Sequence, residues 1–304
     1  MSAAARPAHW KFFAVLLMAG AGWGATLPLS KVAVSTGFEP FGLIFWQLVI
    51  SFALLSVISW ARGRRFPLTR HGLLLSLLVA LVGTLLPNSA SFRALVHLPA
   101  GLISILLSII PMLAFPIAIA FGFERPSLRR LAGLGLGLLG VLLILGPDAA
   151  LPDRSLILWV GVALIAPFFY ALEGNMVAKI GLRDLDAVQV LWGASFLGAV
   201  LAFPLALGSG QWISPFRSYG AAEGALILSS TLHALVYTTY VWLVTRAGPV
   251  FAAQISYIVT GSGVIWAMLF LGERYAWPIW VALFVILAGV VLVQPKTVDE
   301  TTDV

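Results

Sequence analysis

The chain has 304 residues, 61% of them hydrophobic and only 10% charged, with a mean hydropathy of +1.02. A water-soluble globule carries an apolar share nearer half and a charged share nearer a quarter, so the composition excludes one and describes a polytopic membrane protein. The formal charge of +6 does not argue for nucleic acid, because the basic residues stand in short turns between apolar runs, where they orient a chain in a bilayer; the absence of cysteine excludes disulfides, thiolate metal sites and cysteine nucleophiles.

A short segment, 1–10, precedes the first apolar run. That run, from Lys11 onward, is followed by no small-residue cleavage site and reads as a retained span. Runs of about 20 residues, each able to cross roughly 30 Å of hydrocarbon as a helix, fall near 11–34, 41–61, 72–93, 100–123 and 127–146. A second set falls near 155–178, 187–208, 222–245, 250–271 and 275–294. The predicted fold is therefore all-α, with ten transmembrane helices in two sets of five. Helices are required because backbone polar groups cannot go unpaired in lipid, and the runs are too long for barrel strands.

The two sets are related. Pro99 to Pro147 recurs as Pro249 to Pro295, so that a shift of 149 positions brings Ile109, Phe121, Glu124, Arg125, Gly140 and Val141 onto Ile258, Phe270, Glu273, Arg274, Gly289 and Val290. The expected organisation is a first repeat over 11–147, a linker at 148–154, a second repeat over 155–295 and a polar tail at 296–304.

Orientation follows from Lys and Arg. Arg6, Lys11, Arg62, Arg64, Arg65, Arg70, Arg125, Arg129, Arg130, Lys179, Arg183, Arg246 and Lys296 fall on one side, against Lys31, Arg93, Arg154, Arg217 and Arg274 on the other. This places both termini in the cytoplasm. Because five is odd, tandem halves enter the membrane from opposite sides. Such an inverted repeat around a central cavity is the signature of a secondary transporter.

Helix breakers at matching depth point to the cavity. Pro111 stands at the middle of the fourth run and Thr260-Gly261-Ser262-Gly263 at the middle of the ninth, while Pro28, Pro87 and Pro167 interrupt the first, third and sixth. Proline removes a backbone donor and crowds the carbonyl four residues back, which opens a helix toward a ligand or merely kinks it. The candidate gating or helix-break positions are Pro28, Pro87, Pro111, Pro167, Gly261 and Gly263.

Polar and aromatic side chains cluster on the same runs, and runs two, five, seven and ten are nearly bare of polar groups. The economical arrangement puts those four outside. The candidate substrate-binding residues are Trp23, Asn88, Ser108, Pro111, Phe169, Glu173, Asn175, His233, Tyr237, Tyr257 and Thr260. Rings with a few hydrogen-bonding groups suit an aromatic or bulky apolar solute with a polar end. Ionisable groups inside spans are costly, so Glu173 is a candidate partner for a substrate ammonium and His233 for proton coupling. Each also has a structural reading, a water-facing carboxylate and a neutral hydrogen-bonded histidine. Ser and Thr can equally bond their own helices. Lys31 and Lys179 occupy equivalent helix ends, where a cation either snorkels or gates. Glu124 and Glu273 are expected to fix their own hairpins.

With ten spans, the five-span duplication, and the hairpins Glu124-Arg125 and Gly272-Glu273-Arg274 followed by Gly140-Val141 and Gly289-Val290, the chain resembles the EamA-type members of the drug/metabolite transporter superfamily over about 10–295. Within it the chain is most similar to the YddG-type exporters of aromatic amino acids. The resemblance implies solute export across a bacterial inner membrane, with a small-molecule substrate, the lipid bilayer as surroundings, no cofactor and no obligatory protein partner. A broad drug or metabolite exporter of the same fold is the alternative. An intramembrane hydrolase using Ser195 and His233 is a remote one, since Gly193-Ala194-Ser195 is followed by Phe196 instead of glycine. A nucleotide-binding Gly-x-x-x-x-Gly-Lys-Ser/Thr loop does not occur.

Overall fold

In apolar surroundings an open chain satisfies its backbone only as helix, and the computed structural model follows that rule throughout the residues it describes, 9–145, 154–216, 218–247, 251–252 and 254–293. Among these there is no strand. All of the linker but Arg154, the C-terminal tail, Pro249 and nearly all of the N-terminal segment lie outside the described residues.

The first run is divided into α1 (His9–Gly24) and α2 (Thr26–Ser35), and the second is α3 (Pro40–Ala61). The third comprises α4 (Arg70–Ala80), a π-turn over Leu81–Leu85 and α5 (Leu86–His97). The fourth comprises α6 (Ala100–Leu107) and α7 (Ile110–Ala120), and the fifth is α8 (Leu128–Leu145). Then come α9 (Leu156–Ile180), α10 (Ala187–Gly208), α11 (Ala221–Ala247), α12 (Ile255–Leu271) and α13 (Trp277–Val293). Eight of the runs are long and apolar enough to cross a membrane. The last two, α12 and α13, are apolar helices of 17 residues, about 25 Å each.

Local chemistry sets the starts. Thr69 caps α4 by accepting from the Gly72 amide at 3.1 Å. Asp186 and Gln189 form a reciprocal capping box on α10, at 2.9 and 3.1 Å. Three of the expected prolines sit at breaks. Pro28 follows the turn at Ala25, Pro87 follows the π-turn, and Pro111 follows the turn at Ser108–Ile109. In each case the irregularity begins near the carbonyl four residues before the ring, where proline both lacks a donor and clashes.

The other three expected breaks are not there. Pro167 lies within the continuous 25-residue α9, and α12 runs unbroken through Gly261 and Gly263. Pro167 is buried on a stripe of Val160, Ala163, Ala166, Ala171 and Asn175, so packing holds that helix together despite the missing donor. Gly263 serves close approach instead: a Cβ there would collide with Ser104, as one on Gly24 would collide with Gly263 and Val259. Gly263 thus brings three helices together, while Gly261 faces open space, and neither opens the helix.

Helix pairing repeats when the first five runs are exchanged with the second five. α8 packs on α13, and α3 on α10. The α5–α9 contact has its counterpart in α11–α2, α7–α9 in α12–α1, and α4–α10 in α11–α3. The expected peripheral helices thus form two pairs, α8–α13 and α3–α10. At the first pair, backbones touch: a Cβ on Gly133 would meet the Gly289 carbonyl oxygen, and one on Gly289 the Gly133 carbonyl oxygen, each at 2.7 Å.

Gly133→Val is expected to destabilise the detergent-solubilised protein by about 1–3 kcal/mol, the usual cost of overpacking, and Gly135→Val, at a position with open space around it, by far less. Thermal unfolding of the two variants measures the difference.

Candidate functional site

The breaks in the first and third runs bring two groups of side chains to the middle of the bundle. Just before the Ala25 turn, the Trp23 ring meets three rings of α11 edge-on or nearly so. The centroid separations are 5.8 Å to His233, 6.4 Å to Tyr237 and 6.0 Å to Tyr240. All four side chains are half-buried.

The second group joins the third and sixth runs. Tyr170 donates its hydroxyl to Asn88 Oδ1 at 2.7 Å, and the Asn88 amide donates to Gln47 Oε1 at 3.1 Å. One turn beyond Tyr170, Glu173 lies against the π-turn. A Cβ on Gly83 would come within 2.8 Å of its Cδ, so the carboxylate occupies room that only a glycine leaves. Glu173 is within electrostatic reach of both Tyr170, one turn away on its own helix, and Tyr237 of the ring cluster. A carboxylate within electrostatic reach of phenol groups can receive an ammonium by charge-assisted hydrogen bonds, and rings such as those around Trp23 can hold an apolar body.

Of the residues expected from sequence, the structure gathers Trp23, Asn88, Glu173, His233 and Tyr237. It spends others on the scaffold. Asn175 donates to the carbonyls of Ala171 at 2.9 Å and Ala114 at 3.2 Å, stapling α9 to α7. Ser108 donates to the Ile105 carbonyl at 2.6 Å, and Thr260 to that of Ser256 at 2.9 Å. Phe169 packs against Phe168, with centroids 5.6 Å apart. Tyr257 packs on the main core, and its buried hydroxyl makes no hydrogen bond among the described residues. Pro111 opens α7 at the turn closed by Ser108. Ser195 donates to the Leu191 carbonyl of its own helix at 2.8 Å, so its hydroxyl is not engaged by His233.

Two members of the site were missed. Gln47 comes from the second run, expected to lie outside, where a single amide among apolar residues is a weak signal. Gly83 shows its role only once Glu173 is seen beside it. Among the described residues no three His, Cys, Asp or Glu side chains come together as a metal site would require.

Comparison with known proteins decides the family. The EamA-like transporter family matches twice, at residues 10–146 and 157–294, the two copies covering nearly the whole chain. The chain belongs to the EamA-like transporter family. Among similar proteins is a "Probable terminal-alkyne amino-acid exporter" of Streptantibioticus cattleyicolor, 22% identical over 287 residues and 91% of each chain. The "Uncharacterized transporter YvbV" of Bacillus subtilis is 24% identical over 90% of this chain and 88% of its own. The "WAT1-related protein At4g28040" of Arabidopsis thaliana is 23% identical over 90% and 83%. One solved crystal structure aligns with a TM-score of 0.59 at 16% identity, over 90% of this chain and 95% of that one, which is a likeness of fold. Membership of the EamA-like family makes the chain a membrane-spanning transporter of a small molecule, and not an enzyme.

Asn88→Ala leaves both Tyr170 and Gln47 without their partner and is expected to cost about 1–3 kcal/mol, against about 1 kcal/mol for Tyr170→Phe. Because the three act as one chain, the Asn88→Ala/Tyr170→Phe double variant should lose less than the sum. A double-mutant cycle read by thermal unfolding checks this.

Proposed function

We propose that this EamA-family transporter is a secondary exporter of small amphipathic metabolites, aromatic or other apolar amino acids in particular, of the YddG type. The observation that carries the reading is the Glu173 carboxylate lying against Gly83 of the π-turn, within electrostatic reach of Tyr237, whose ring meets Trp23 edge-on. An aromatic amino acid offers both complements, an ammonium and a ring. The name of the Streptantibioticus relative, an amino-acid exporter, supports the same chemical class.

The working architecture is ten membrane spans in two inverted repeats, 11–147 and 155–295, joined by 148–154 and flanked by 1–10 and 296–304. The twofold match to the family and the paired helix contacts support it. Transport then proceeds by alternating access, one half rocking against the other around the central site. The distribution of Lys and Arg supports both termini in the cytoplasm, and the likeness to bacterial transporters supports a bacterial inner membrane. Pro28, Pro87 and Pro111 are the points at which the spans flex, since each already marks an irregular turn.

The test is flux of labelled phenylalanine, tryptophan and threonine in liposomes containing only this protein, with and without an imposed pH gradient. Phenylalanine and tryptophan should move, and Glu173→Gln should slow them at least about tenfold, equivalent to 1.4 kcal/mol. Failure to move any aromatic amino acid overturns the narrow reading. Movement of apolar compounds lacking an amine, unaffected by Glu173→Gln, would favour the broad drug exporter.

A further inference from the structure

The corner between the third and fourth runs is gripped from both sides. α5 ends at His97 and α6 starts at Ala100, so the last carbonyls of one and the first amides of the other crowd the same turn. Lys31, in the middle of α2, donates its ammonium to the carbonyls of Leu95 at 2.5 Å, Leu98 at 3.1 Å and Val96 at 3.2 Å. Glu273, on the turn between α12 and α13, accepts from the amides of Ala100 at 2.8 Å and Gly101 at 3.2 Å. Tyr275 completes the contact by donating its hydroxyl to Glu273. A cation thus sits at a helix C-terminus and an anion at the next N-terminus, each favoured by the local dipole, and the two also attract one another. Because Glu273 belongs to the second repeat and the corner to the first, the contact holds the two halves together at this end.

The sequence repeat places Glu124 at the position equivalent to Glu273, and Lys179 within one residue of the position equivalent to Lys31, yet the structure uses them differently. Glu124 pairs with Arg130 of its own hairpin at 2.7 Å, and the Lys179 ammonium lies 4.7 Å from the centroid of the Phe121 ring. Whereas α2 packs on α5 at the gripped end, the counterpart helices α9 and α11 make no such packing among the described residues.

We propose that Lys31, Glu273 and Tyr275 form a latch that shuts their end of the transporter, that Glu124 and Lys179 are its duplicate at the opposite end, and that the two latches close alternately. Closing the second requires Lys179 to leave Phe121 for the last carbonyls of α11, and Glu124 to leave Arg130 for the amides of Phe251 and Ala252. The proposal rests on the alternating-access reading above, but the test does not involve a substrate, so a mistaken substrate class leaves its outcome unaffected.

The chain contains no cysteine, so cysteine pairs can be introduced for spin labels without removing any native one. One pair at the exposed Val96 and Arg274 spans the latched end, and another at the exposed Arg125 and Arg246 spans the other. Pulsed electron resonance in lipid nanodiscs should find the first pair mostly near and the second mostly far. Glu273→Gln or Lys31→Met should transfer population by about tenfold toward a far 96–274 and a near 125–246 distance. Gly101→Ala, which changes no charge but places a Cβ where the Tyr275 hydroxyl sits, should act in the same direction. Glu124→Gln should instead deplete the near 125–246 population. The proposal is overturned if folded Glu273→Gln and Gly101→Ala leave both distributions at the native positions, or if the 96–274 distance lengthens while 125–246 does not respond.

Discussion

No water reaches the hydrocarbon interior, so every backbone group that leaves a helix there must find a partner within the protein, and this decides where the chain can be irregular. Two of the breaks and one corner show such a partner. At the Ala25 turn the Thr26 hydroxyl donates to the Trp23 carbonyl at 2.7 Å, and at the Ser108 turn Ser108 takes the Ile105 carbonyl at 2.6 Å. At the corner between α5 and α6, where more groups are released, two charged side chains serve. The irregular points are also where the site is built, since Trp23 precedes one break and Gly83 lies within another. Satisfaction of the backbone and placement of the site are one problem.

Small residues solve the opposite problem of bringing helices close where nothing is to be bound. Gly133 and Gly289 let two backbones touch, and Gly24, Gly263 and Ser104 do so where the first, fourth and ninth runs meet. Lipid tails are as apolar as leucine, so tight van der Waals contact, and not exclusion from solvent, distinguishes helix pairing from helix solvation by lipid. Trp266 strengthens the same seam by donating its indole N–H to the Ala21 carbonyl at 2.9 Å. The rings at Trp23, His233, Tyr237 and Tyr240 contrast with it, being large, polar-edged and only half-buried.

Duplication supplies equivalent residues without making their contacts equivalent. Glu273 crosses to the other half while Glu124 stays within its own hairpin, and Lys31 is spent on carbonyls while Lys179 faces a ring. Two copies of one plan can differ in this way because charge-assisted hydrogen bonds to helix ends are strong enough to hold a geometry and specific enough to be exchanged.

The sequence by itself determined a membrane protein of helices, its two similar halves, and the turns before Pro28, Pro87 and Pro111, because hydropathy, repetition and a missing amide proton are properties of neighbouring residues. It also drew Trp23, Glu173, His233 and Tyr237 into one candidate set, since costly or amphipathic side chains in apolar runs stand out wherever the chain takes them. Only the tertiary structure decided that Gly261 and Gly263 lie in an unbroken helix, that Pro167 does not interrupt α9, that Asn175 is a staple, that Gln47 and Gly83 belong to the site, and that Glu273 holds the far half. A glycine that breaks a helix and one that admits a neighbour look alike in sequence. The partner of a half-buried carboxylate can be a backbone amide 173 residues away, and a backbone amide has no letter of its own.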